Sequence, residues 1–186
     1  MQKLNLKIIA LIVTLLTSCN PELARKTEEA KIAIEASSRD VKNKILQIKK
    51  EAAEKGVNFK AFTTTETGSK VSSGGVPLRE AKVQAINATE KFLKAVEEEA
   101  LKLKEYGNSD QFPAMFELVL EVIDSLEEIG IKTKDSILEQ TKSNPVNTAE
   151  RLVEVKAQIE NNLEKIKQKQ NLDSEEKKPN KSKEKK

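Results

Sequence analysis

Residues 110–130 read DQFPAMFELVLEVIDSLEEIG. Phe112, Met115, Phe116, Leu118, Val119, Leu120, Val122, Ile123, Leu126 and Ile129 recur at helical steps and leave almost no polar face. Asp110 stands where an N-cap belongs, and Pro113 falls in the first turn, where a missing N–H does no harm. Gly130 supplies the stop. A helix that is apolar nearly all round must be surrounded by other helices. The stretch therefore predicts an all-α bundle with this element at its centre.

The flanking sequence supplies the surrounding helices. Upstream, Leu23, Ala30, Ile34, Val41, Ile45, Ile48 and Ala52 mark one inward stripe over about Glu22–Glu54, with Gly56 as its cap and Phe59 and Phe62 plugging the core end. Ala85, Ile86, Phe92, Leu93, Val96, Ala100 and Leu103 mark a second, from about Leu78 to Tyr106, ended by Gly107. Downstream, a short helix around Ile137–Leu138 must end before Asn144-Pro145, because proline disfavours a helical predecessor. A last helix opens on Asn147-x-x-Glu150, which has the form of a capping box, and buries Leu152, Val155, Ile159, Leu163 and Ile166. Between the first two helices, residues 63–77 (TTTETGSKVSSGGVP) have no period and read as a mobile loop. The expectation is a five-helix bundle over 19–170, preceded by a leader at 1–18 and followed by a disordered basic tail at 171–186.

The leader reading rests on Lys3 and Lys7 before the apolar run IIALIVTLL at 8–16, too short to span a bilayer. Leu16-Thr17-Ser18-Cys19 resembles a bacterial lipobox, so Cys19, the sole cysteine, is the expected lipidation site. Several acyl chains on one cysteine hold a protein stably at a membrane surface. The mature protein is thus expected to be tethered to a membrane surface, with contact to the membrane through the lipid anchor alone.

Composition removes several function classes. The 186 residues include no His, so His-based triads and His-containing zinc sites are excluded, and one Cys forbids an internal disulfide. No cofactor or metal motif is present, and Gly68-Ser69-Lys70 lacks the spacing of a phosphate-binding loop. Glu97-Glu98-Glu99 is the one dense acidic run, but adjacent helical residues point apart, so a catalytic carboxylate pair is not formed there. The expectation is a protein that is not an enzyme.

The net charge of +3 conceals an uneven distribution. The leader carries +2 and the last ten residues +5, which leaves about −4 for the body from Cys19 to Glu176. A basic terminus attracts polyanions with steep salt dependence. On the last helix Lys165 and Lys169 share one face, while Lys156 and Lys167 line the opposite edge of the apolar stripe. Arg79 and Lys82 lie three apart on the second helix, and Arg39, Lys42, Lys49 and Lys50 add further cations on the first. Aromatic platforms for stacking nucleic acid bases are missing from these basic stretches, so no nucleic-acid partner is expected.

Five stretches carry a resemblance to a known family: KNKILQIKKEAAEKGVNFKAF (42–62), TGSKVSSGG (67–75), REAKVQA (79–85), EKFLKAVEEEALKLKEYGNSDQFPAMFELVLEV (90–122) and NPVNTAERLVEVKAQIEN (144–161). Together they resemble the decorin-binding adhesins of Lyme-group spirochaetes, in particular the B branch of that family. The resemblance implies an outer-surface lipoprotein with a five-helix bundle. It implies as partners host decorin and sulfated glycosaminoglycans, namely dermatan sulfate and heparin or heparan sulfate. In the family the second and last helices form a basic patch bordered by the loop after the first helix. On that pattern Lys82 and Lys169 match patch lysines, whereas Asn162 stands where the family has another. The weight then moves to Lys165, Lys169 and the tail lysines Lys177, Lys178, Lys181, Lys183, Lys185 and Lys186, with Arg79, Lys156 and Lys167 as flanking cations. A different reading keeps the tail as a solubilising segment and assigns a helix face to a host protein.

Overall fold

The computed structural model describes residues 21–59, 71–104 and 111–172. Among these, five helices follow in order: α1 (Pro21–Glu54), α2 (Val71–Leu103), α3 (Gln111–Glu127), α4 (Lys134–Lys142) and α5 (Ala149–Lys169). The described residues include no strand. Residues 1–20, with the expected leader and Cys19, lie outside the described residues, as do Phe62, Asp110, residues 173–186 and the side chain of Leu23.

The expected centre is α3, which packs against each of the other four helices. Phe112, Met115, Phe116, Val119, Leu120, Val122, Ile123 and Leu126 are buried, and Ile129 and Ile131 continue the core beyond its last turn. Leu118 is only partly covered. Burying a side chain of this size contributes roughly 1.5–3 kcal/mol, so this short helix holds a large share of the stabilising surface. The α1 stripe is buried at Ala30, Ile34, Val41, Ile45, Ile48 and Ala52, with Ser38 filling the gap between Ile34 and Val41. Phe59 is buried as expected at the end of α1.

Ion pairs between helices fix their directions. Lys42 reaches Glu121 (2.5 Å) and Lys49 reaches Glu128 (2.8 Å), the same sequence offset twice, so α1 and α3 run parallel. Lys55 lies 3.6 Å from Glu80, which joins the end of α1 to the early turns of α2 and makes that pair antiparallel. The ends of α1, α3 and α5 thus gather at one pole of the bundle. All three close in the same way. Val57, Ile131 and Leu172 donate their backbone N–H to Ala52, Leu126 and Lys167, while Gly56, Gly130 and Asn171 take positive φ. These are Schellman caps, in which the left-handed residue lets two otherwise orphaned carbonyls find donors.

Three sequence expectations need correction. Helix α2 begins at Val71 and not near Leu78, so the end of the anticipated loop is helical, interrupted at Gly75 (φ 66, ψ −163), a conformation open in practice to glycine alone. Residues 63–70 of that loop lie outside the described residues. At its other end the described part of α2 closes at Leu103, and the expected terminus at Tyr106 and Gly107 lies outside the described residues. The cap of α5 is Thr148, whose Oγ1 accepts from Arg151 N at 3.1 Å, one residue beyond the Asn147 at which the capping-box pattern begins. Finally, the bundle does not stop at residue 170. Asn171 forms the α5 cap and Leu172 is buried, because the Schellman turn folds the chain back onto the core.

Candidate polyanion interface

Helices α2 and α5 lie antiparallel, and the cationic residues picked out from sequence sort along them by environment. Lys82 is on the inner face of α2 with Leu78, Ala85 and Ile86, and is fully buried. Its Nζ donates to the Gly130 carbonyl and to Gln170 Oε1, both at 2.9 Å. One ammonium thereby ties the α3 terminus to the α5 terminus. Carbonyl ends of helices carry partial negative charge, which favours a cation there. Burial nevertheless pushes the Lys82 pKa down to about 8. Lys82 therefore does not sit on the surface as the sequence pattern suggested. Its place on the apolar stripe was the available signal. Arg79, one turn earlier, donates from its guanidinium to the Asn171 carbonyl and is half-buried.

Further along the seam, the α2-side edge of α5 is neutralised by glutamates. Lys167 Nζ lies 2.6 Å from Glu90 and 3.9 Å from Glu164. Lys156 Nζ lies 2.6 Å from Glu97 and 2.9 Å from Glu160. Burial alone depresses the Lys156 ammonium, but hydrogen bonds and charge from Glu97 and Glu160 outweigh it and hold its pKa above the ordinary value. Their aliphatic stems cover the core while their charges are matched locally, the usual arrangement of a long cation beside an apolar face. Glu160 and Glu164 are helical neighbours that local spacing already marks as neutralising, whereas Glu90 and Glu97 come from a different helix and no local pattern reveals them.

The other edge of α5 differs. Lys165 and Lys169 are exposed, and among the described residues neither has a carboxylate partner within 4.0 Å. Asn162 lies on this side and donates through Nδ2 to Ser136 Oγ of α4 at 3.0 Å. Lys165 and Lys169 are one turn apart and lead toward the end from which the basic segment 177–186 continues. The structure thus groups Lys165 with Lys169, pairs Lys156 and Lys167 internally, and places Lys82 inside. The six tail lysines lie outside the described residues. No group of three or more potential metal-ligating His, Cys, Asp or Glu side chains occurs among the described residues. No described helix is long and apolar enough to cross a membrane.

These features define a class: a helical bundle with an open cationic edge on its last helix and a lysine-rich terminus. Comparison with known proteins narrows it. A family model described as decorin binding protein matches residues 29–186, and the chain belongs to that family. It is 61% identical to decorin-binding protein B of Borreliella burgdorferi strain B31 over 186 residues, covering 99% of this chain and 98% of that protein. Decorin-binding protein A of the same strain is 42% identical over 164 residues, covering 87% and 82%. The solution structure of decorin binding protein B from Borrelia burgdorferi superposes with a TM-score of 0.60 at 65% identity, covering 83% of this chain and 93% of that one.

Proposed function

We propose that this protein is a non-enzymatic surface adhesin that binds decorin through its sulfated glycosaminoglycan chain. The observation that carries the reading is the open pair Lys165 and Lys169 leading into a terminus of six lysines, in a member of a family named for binding decorin. Dermatan sulfate and heparin or heparan sulfate are repeating polyanions. Lysine ammoniums on flexible stems supply point charges to such a polymer without demanding bidentate geometry. Lys82 and Arg79 belong to the site as supports, since they hold the α5 terminus in place; Lys156 and Lys167 supply little net charge to it. No cofactor takes part.

The proposed anchor fits the same arrangement. Acylation at Cys19 attaches the start of α1 to the membrane, and the 34 residues of α1 span about 50 Å at 1.5 Å per residue. The cationic pole lies at the far end of that helix and faces outward from the cell surface.

The test is affinity for heparin and dermatan sulfate at several salt concentrations, with and without residues 177–186. Affinity should fall steeply with salt and weaken on truncation. Salt-insensitive binding would sink the electrostatic reading. One observation favours a second reading, a protein partner. A groove of about 530 Å³ near the start of α1 is lined by Ala30, Ala33, Leu101, Lys26, Glu29 and Lys102, with Leu101 and Ile32 exposed nearby. Undiminished decorin binding after enzymatic removal of its glycan would favour that reading.

A further inference from the structure

We infer that Lys132, which sequence patterning did not single out, joins Lys165 and Lys169 to form the edge on which a sulfated polymer lies, beside α4 and away from the α2–α5 seam. The inference rests on the polyanion reading above and assigns its location. Two contacts pin the segment that carries Lys132. Gly130 shares the Lys82 ammonium with Gln170, each 2.9 Å from Nζ. Six residues later, Ser136 Oγ accepts from Asn162 at 3.0 Å. Residues 130–136 therefore run antiparallel to residues 162–170, and Lys132 falls between the pins, alongside the stretch that holds Lys165 and Lys169.

Side-chain alternation turns Lys132 outward. Ile131 and Thr133 on either side are buried, and Lys132 is exposed. Lys134 follows but is committed to Asp124 at 2.6 Å. Among the described residues no carboxylate lies within 4.0 Å of Lys132, Lys165 or Lys169. Asp135, the acidic member of the segment, sits in the first turn of α4, where the helix end favours an anion. The result is three lysines on two adjacent chain segments, with Lys165 and Lys169 about 6 Å apart along the axis. On the opposite edge, a polymer would meet Glu90, Glu97, Glu160 and Glu164 around the two seam lysines. Sulfate and uronate groups are repelled there and accepted here.

The decisive experiment measures heparin affinity from low to moderate salt for the full mature chain and for Lys132→Gln, Lys132→Gln/Lys165→Gln and Lys44→Gln. Lys44 is an exposed lysine of α1 and controls for loss of one charge elsewhere. Lys132→Gln should weaken binding about fivefold and reduce the slope of log affinity against log salt by nearly one. The double variant should reduce the slope by nearly two, and Lys44→Gln should leave it unchanged. Circular dichroism and urea unfolding check the fold of each variant, which these exposed substitutions should leave intact. Binding by the parent together with an unchanged slope for Lys132→Gln overturns the inference while leaving the function reading in place. A parent that does not bind heparin or dermatan sulfate overturns the function reading itself.

Discussion

The two edges of α5 carry lysines of the same kind, and their surroundings give them opposite roles. On the α2 side, Lys156 and Lys167 each meet two glutamates and lie largely covered. On the α4 side, Lys165 and Lys169 project into solvent with no such partner among the described residues. The pole between them holds a third arrangement, in which Lys82 is buried against helix ends and a side-chain amide. A count of basic residues treats all five alike. What separates them is whether a neighbouring helix brings a carboxylate, a carbonyl or only water, and that decides whether a cation holds the fold together or remains available to a ligand.

The sharpest way to break this comparison is to remove the buried member. Lys82→Ala leaves the Gly130 carbonyl and Gln170 Oε1 without their shared donor and opens a cavity, so urea unfolding should show a loss of about 3 kcal/mol. Heparin binding should keep its salt slope, any change in affinity acting through the α5 terminus; a slope reduced by one at intact fold would make Lys82 a direct contact. The pH dependence of the same residue follows from its pKa of about 8 against 10.5 for an ordinary lysine. Between those values the unfolded chain binds more protons than the folded one, so stability rises with pH over this window. Relative to Lys82→Met, the parent should gain about 2 kcal/mol from pH 8 to 10.5 by urea titration. A falling difference would contradict the burial account.

A smaller effect comes from unmasking the neutralised edge. Glu90→Gln/Glu97→Gln keeps the shape of both side chains but removes the charges opposite Lys167 and Lys156. Heparin should bind up to about threefold tighter, because two carboxylates are gone from the polymer's surroundings, although Glu160 and Glu164 still face the two lysines. Smallest is the stability cost of the same change, about 1 kcal/mol or less in thermal unfolding, because these pairs are partly solvated.

Much of the architecture was legible because helical periodicity is local. The nearly all-apolar 112–129 stretch required a surrounding bundle, and the stripes at Ile34–Ala52 and Leu152–Ile166 showed which faces turn inward. Glycine signals the caps at Gly56 and Gly130, whereas Asn171 closes α5 by the same geometry and asparagine marks such a turn less strongly. Thr148 and Asn147 are both good caps, and only the hydrogen bond to Arg151 decides between them. The candidate site was legible as a set of lysines but not as a surface. Lys156 with Glu97 and Lys167 with Glu90 are pairs 59 and 77 residues apart, beyond any local pattern. Lys132 lies in a turn with no helical period, and its position beside α5 follows only from the contacts of Gly130 and Ser136.

The central claim is that ligand binding uses the open edge of α5 and not the neutralised one. The most direct measurement is the salt dependence of dermatan sulfate affinity for Lys165→Gln/Lys169→Gln beside that for Lys156→Gln/Lys167→Gln, with folding checked by circular dichroism. The account predicts that the first pair lowers the slope by nearly two and weakens binding at least tenfold at low salt, while the second changes affinity by less than about threefold. A larger loss from the seam pair than from the open pair would contradict it.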